Sequence, residues 1–225
     1  MDHRPFLRDP QEPQSLQARA LMRIRDAILE GALPPGTPLR AAALASELGM
    51  SPVPVREALQ VLAAEGLAVH VPRKGMAVSA LTAESVANAY DVMGALEGLV
   101  ARQIAGKLSD QQLRALDAVR QEMEQATARG DHEALLHLDR EFHAQMADAS
   151  GNARAGEFLR SLWNYTYRVR RVYPRSARRL QETVEEHRSI LAALQAGDAE
   201  AGERLVQRHI DGARDDLLMR LKEAQ

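Results

Sequence analysis

Cysteine is absent from the 225 residues, so neither a disulfide framework nor thiolate chemistry is available. Long apolar runs are missing too, and none approaches the ~18–20 residues needed to span a bilayer. No sign of charge dominates: 29 Lys and Arg stand against 31 Asp and Glu. Residues 1–80 carry nine basic groups against eight acidic, and residues 81–225 carry twenty against twenty-three. Overall charge therefore gives no pointer to nucleic acid, and such a reading has to rest on where individual basic groups fall. A nucleophile motif, a phosphate-binding glycine loop and a CxxC pair are all lacking. The opening stretch, Met1 to Pro13, is polar and contains proline. It has no apolar run of the secretory kind and reads as a short disordered arm. The cytoplasm is the expected compartment, with no membrane partner.

What is present suits two modest domains, each with its own core. Leu16, Ala20, Ile24, Ala27 and Ile28 recur at helical spacing within residues 14–30, and Gly31 stops that helix. The stretch 33–39, LPPGTPL, reads as a rigid turn. Two short helices follow within 41–65. Leu67–Val71 and Met76–Ala80, joined by Pro72-Arg73-Lys74-Gly75, suit a β-hairpin, and this is the expected strand content. From Leu81 onward the pattern is helical. Thr82, Ser109, Asp131, the Ser150-Gly151-Asn152 break, Pro174 and Gly197-Asp198 punctuate six helices over residues 82–222. The boundaries are an arm over 1–13, a first domain over 14–80 and a second over 81–222. The fold class is mainly α: a winged helix-turn-helix with a small hairpin, then an all-α six-helix bundle.

Residues 41–60 carry the helix-turn-helix pattern. Ala45 is small where two helices must cross, and Gly49 stands where the chain reverses. Ser51 is placed to cap the second helix, a contribution of about 1 kcal/mol. Pro52 occupies the first helical position, where it loses no hydrogen bond. In such a motif the start of the second helix enters the major groove. Here that end offers Ser51, Val53 and Arg56, with Gln60 one turn on. Arg73 and Lys74 at the hairpin tip form a basic wing. A helical hairpin packed only on protein is the competing reading, and the hairpin directly after the second helix argues against it.

Residues 16–79 resemble the DNA-binding domain of the GntR family of bacterial regulators, on the stretches PPGTPL, LASELGMSPVPVREALQVLAAEGL and VPRKGMAV. The resemblance implies a homodimer bound to a palindromic operator. It places Ser51, Val53 and Arg56 against DNA, with Arg73, Lys74 and Gly75 in the wing. The family commonly has a basic residue where Pro52 stands, and often a basic or polar one at Ala42. Arg40 is placed to compensate in part.

Seven histidines are present. His3, His70, His132 and His137 carry no expected role. Asp139 and His143 leave one helical face at i and i+4, the geometry for two ligands of one metal, with Phe142 and Met146 flanking them. His187, beside Ile190, Leu191 and Leu194, and His209, beside Leu205, Val206 and Ala213, lie on the inward sides of later helices. One carboxylate and three imidazoles make a first shell for Zn²⁺, Ni²⁺, Mn²⁺ or Fe²⁺. From spacing alone, satisfied core histidines remain the alternative. Trp163, Tyr165, Tyr167 and Tyr173 read as packing or a dimer surface. The Arg168–Arg171 run reads as a solvated face for most of its members.

Residues 82–222 resemble the FCD sensor domain of the FadR subfamily, in its shorter six-helix form, on ALEGLVARQIA, LDREFHAQMADASGN, EEHRSILAALQAGD and AGERLVQRHI. The resemblance implies that Asp139, His143, His187 and His209 hold one divalent ion per chain. It also implies a small organic acid as effector, which changes operator affinity, with repression relieved by ligand as the usual direction. The family usually offers an arginine where Met93 stands. Arg140, or a member of the Arg168–Arg171 run, is the candidate substitute, so Met93 and Arg140 are the expected effector contacts. No catalytic role is expected. A purely structural metal, and a metal-dependent hydrolase, are the alternatives.

Overall fold

The computed structural model describes residues 15–223, and the arm over 1–13 lies outside them. The chain divides into two compact units at Ala80 and Leu81. No helix among the described residues is long and apolar enough to cross a membrane.

The first unit opens with α1 (Leu16–Leu29), capped by the Ser15 side chain, which accepts from the Ala18 amide at 3.1 Å. Ala20, Ile24 and Ile28 fall four residues apart on one face, and that face is buried. α2 (Ala41–Leu48) ends at Gly49, whose φ of 65° is the left-handed conformation that a side chain would strain. The Met50 amide then closes back on the Ala45 carbonyl at 3.0 Å. α3 (Pro52–Ala64) buries Val55, Ala58, Leu59 and Leu62. Arg25 on α1 meets Glu65 at the end of α3 in a two-pronged ion pair.

Two expectations need correction here. Ser51 does stand at the N-cap in extended conformation, but its side chain makes no capping hydrogen bond. A cap accepts from the amide two or three positions on. The third position is Pro54, which has no amide hydrogen. The stretch 33–39 is more than a turn: β1 (Pro38–Leu39) pairs with β3 (Gly75–Val78), which pairs with β2 (Ala68–Val71), all antiparallel in the order β1-β3-β2. Leu39 lies opposite Met76, and Ala68 opposite Val78. Two residues are too few to show a period-two alternation, so this strand leaves no pattern to read.

The second unit is a bundle of six helices: α4 (Ala83–Ile104), α5 (Asp110–Ala128), α6 (His132–Ala149), α7 (Ala153–Val172), α8 (Ala177–Ala196) and α9 (Ala199–Glu223). Their starts follow local chemistry. Thr82 and Ser109 form reciprocal capping boxes with Ser85 and Gln112. Asp131, Asn152 and Ser176 accept from amides in the first turns of α6, α7 and α8. α4 and α9 lie close because α4 carries glycine where they meet. A Cβ at Gly98 would come within 3.1 Å of the Gln207 side chain, and one at Gly94 within 3.4 Å of Ile210.

Candidate functional site

In the second unit, one turn of α6 presents Asp139 and His143 inward, with Phe142 and Met146 buried beside them. His187 reaches the same point from α8, next to buried Ile190, Leu191 and Leu194. His209 reaches it from α9, between Val206 and Ala213. One ligand atom from each of the four residues lies within 4.8 Å of every other. His143 Nε2 and His209 Nε2 are 3.3 Å apart. Asp139 Oδ1 is 3.6 Å from His187 Nε2 and 3.7 Å from His209 Nε2. All four residues are buried, and both His187 and His209 are wholly inaccessible.

Each imidazole is held from behind. Glu97 Oε2 lies 2.7 Å from His143 Nδ1. The Thr183 carbonyl lies 2.7 Å from His187 Nδ1, and Glu186 Oε2 lies 2.6 Å from His209 Nδ1. With Nδ1 of His187 and His209 hydrogen-bonded and Nδ1 of His143 in ion-pair contact with Glu97, the Nε2 atoms turn toward the common centre. Glu97 is itself fixed by the Trp163 indole N–H, which donates to Oε1 at 2.7 Å. Neither Glu97 nor Glu186 was among the expected site residues. The signal for Glu97 existed, since an acid at 97 shares the stripe of Met93, Ala101 and Ile104 that is buried on α4.

Electrostatics favour neutral imidazoles at His187 and His209 beside one ionised carboxylate. Burial opposes charge on Asp139, but Arg175 and Arg170 outweigh it and hold the carboxyl well below its usual range. Burial, and then the neighbouring rings and cations, push His187 and His209 well below the ordinary imidazole value. His143 moves the other way: burial lowers it, and Glu97 raises it more. Two of the atoms that face the common centre, Asp139 Oδ1 and His187 Nε2, have no hydrogen-bond partner. Unpartnered buried polar atoms are rare. A divalent ion would satisfy both, and three imidazoles with one carboxylate match that chemistry.

Beside the four lies a cavity lined by Met93, Glu97, Arg140, Trp163, Tyr167 and Arg170, among others. Met93 is buried there, and Arg140 donates to Asn164 Oδ1 at 2.9 Å. The solvated-face reading of the Arg168–Arg171 run does not hold for two of its members. Arg168 is only 2 % exposed and lies over the Tyr165 ring. Arg170, its side chain 9 % exposed, reaches both Asp139 and the Tyr90 hydroxyl. The reason is that α7 is buried at every residue from Tyr165 to Val169, which leaves no free face there. The tyrosines are tied inward as well: Tyr165 donates to Ser85 Oγ at 2.8 Å, and the Tyr167 hydroxyl lies 3.2 Å from His137 Nε2.

In the first unit, Ser51, Val53, Arg56 and Gln60 are exposed at and after the start of α3, Val53 at 57 %. Arg40 is exposed at the N-cap of α2. Arg73, Lys74 and Gly75 form the exposed tip of the β2–β3 hairpin, with Arg73 at a φ of 63° and Gly75 at 89°. Among the described residues, Arg40, Arg56, Arg73 and Lys74 have no acidic partner within ion-pair distance.

Comparison with known proteins finds two family models. The one described as bacterial regulatory proteins, gntR family, matches residues 16–78. The FCD domain model matches residues 88–212. The chain is 31 % identical over 189 residues to the probable D-xylose utilization operon transcriptional repressor of Paenarthrobacter nicotinovorans, covering 81 % of this chain and 80 % of that one. It is 28 % identical over 202 residues to the transcriptional repressor RspR of Escherichia coli K12, covering 90 % and 88 %. The solved structure of a GntR regulator from Rhodococcus sp. RHA1 superposes with a TM-score of 0.74 at 26 % identity, covering 92 % of this chain and 99 % of that one. That of E. coli McbR/YncC gives 0.75 at 23 % identity, covering 95 % and 100 %, a likeness of fold.

Proposed function

Since the chain belongs to the GntR family of bacterial regulatory proteins and carries an FCD domain, we propose that it is a metal-containing, effector-responsive member, acting as a homodimer on a palindromic operator. It is a transcription regulator; the further reading concerns how it is switched. One divalent ion is held by Asp139, His143, His187 and His209, with a small organic acid beside it. The observation that carries this is the convergence of three imidazole nitrogens and a carboxylate oxygen inside 4.8 Å, two of them buried without a hydrogen-bond partner. Bound there, the ion would supply Lewis acidity toward an anionic effector.

The protein's own groups do the rest. Glu97, Glu186 and the Thr183 carbonyl fix the three rings. Arg170 neutralises Asp139 and borders the cavity that contains Met93 and Arg140. In the first unit, Ser51, Val53 and Arg56 read the major groove, while Arg40 and the wing residues Arg73, Lys74 and Gly75 engage the backbone. An effector that binds one arrangement of the dimer better than another shifts operator affinity by that difference. Relief of repression is the proposed direction, in keeping with the two repressors among the relatives.

Chelation tests the metal. Any ligand of the folded state stabilises it by mass action, by about 2.7 kcal/mol at a hundred times its Kd. Treatment with EDTA, followed by desalting, is expected to lower the thermal midpoint, and added Zn²⁺ to restore it. An unchanged midpoint, with no ion in the purified protein by elemental analysis, would overturn the reading. Glu97→Gln tests the ring-orienting role. It keeps the shape but removes the charge behind His143, so affinity for the ion is expected to fall by roughly 10–100-fold. Competition with a chromophoric chelator reads this directly.

A further inference from the structure

Arg175 is a buried cation with too few partners. It lies between α7 and α8, just before the Ser176 cap, and its side chain is 8 % exposed. Nη1 donates to Thr183 Oγ1 at 3.2 Å. It stands 3.6 Å from Asp139 Oδ1, too far for a hydrogen bond. Nε and Nη2 are buried with no hydrogen-bond partner. Among the described residues, Asp139 is the one acid within ion-pair distance of Arg175. Arg170 already holds the other oxygen of that carboxylate. Two buried guanidiniums thus share one buried anion. Neither can shed its proton, because arginine stays charged in proteins.

The leftover charge borders a small cavity whose other walls are His132, Leu135, Leu136, Pro174 and Leu180, with Arg170 at its edge. Nε and Nη2 form one edge of the guanidinium plane, and their parallel N–H bonds match the two oxygens of a carboxylate. We infer that this cavity is an anion subsite, where Arg175 receives the carboxylate of a small aliphatic acid and the leucines receive its hydrocarbon part. The inference deepens the effector reading given above and rests on it. It also supplies a cation that position 93 lacks, from the α7–α8 connection instead of the first helix of the bundle. Arg170 borders this cavity and the one beside the four ligands, so an acid held at Arg175 is one side chain from Asp139.

The test is calorimetric titration of the full-length protein at constant ionic strength, with butyrate, its neutral amide butyramide, and chloride. Butyrate is expected to bind at one site per chain, and butyramide at least tenfold more weakly, with no heat from chloride beyond dilution. Arg175→Gln is expected to lower butyrate affinity at least tenfold, with metal content and far-ultraviolet circular dichroism unchanged. Should that variant fail to fold, Arg175→Lys takes its place. It keeps the charge, loses the two-pronged edge, and is expected to bind butyrate more weakly by a similar factor. Equal binding of butyrate and butyramide, no binding of either, or wild-type affinity in the folded variants would overturn the subsite. Operator binding measured with and without butyrate separates the two readings. Butyrate bound through Arg175 with no change at the operator keeps the subsite and removes the effector role. A change at the operator that survives substitution of Arg175 keeps the effector role and removes the subsite.

Discussion

His143→Ala and His187→Ala are each expected to reduce bound metal from one ion per chain to a small fraction of that after desalting. The argument is geometric. His143 and His187 contribute two of four atoms that already lie within 4.8 Å of one another. Loss of a partner behind a ligand costs about 10–100-fold in affinity, and loss of the ligand itself costs more. The two substitutions should differ in stability. Alanine at 187 leaves a hole among Phe142, His143 and His209, a fully buried site. Alanine at 143 strands the Glu97 carboxylate, which is buried and would have only the Trp163 N–H left. An unpaired buried charge is the more damaging of the two, so His143→Ala is expected to melt lower. Full stoichiometry by elemental analysis in both variants would contradict the site.

Arg56→Ala is expected to abolish measurable operator binding while leaving the fold intact. Arg56 is exposed one turn into α3, with no acidic partner among the described residues. A two-pronged contact of arginine to guanine discriminates by about 1–3 kcal/mol. A symmetric dimer makes that contact twice, so the loss doubles, to roughly 30-fold or well beyond. The operator would come from selection out of random duplexes, and gel shifts at fixed salt would compare the two proteins. Affinity equal to the wild type, with unchanged circular dichroism, would sink the assignment of α3 as the reading helix.

The parts of the fold that local chemistry decides were legible. Ser109, Asp131 and Gly197 mark helix ends because a side-chain oxygen or a left-handed residue is required at those positions. The spacing that put Asp139 and His143 on one face was legible for the same reason. Their approach to His187 and His209 was not, since spacing does not say which helices lie side by side. β1 left no trace because two residues cannot show a period. The inward turn of Arg168 and Arg170 was hidden by composition: a run of arginines suggests solvent, yet α7 is buried at every residue from Tyr165 to Val169. Ser51 looked like a cap because the type of residue was right. The acceptor's usual partner was removed by a proline three residues later.

That same pair of prolines has a consequence for recognition. Pro52 and Pro54 fix φ near −65° at two of the first three positions of α3. The turn assigned to the operator is therefore ordered before any encounter with it. Holding a backbone residue in one conformation takes about 1–2 kcal/mol of entropy. Here that restriction is met largely while the chain folds, and less of it is subtracted from the free energy of association. The Ser51 hydroxyl, released from capping, keeps its donor and acceptor capacity for an outside partner. Rigidity of the reading turn and availability of its first polar group thus have one origin, two residues apart in the sequence.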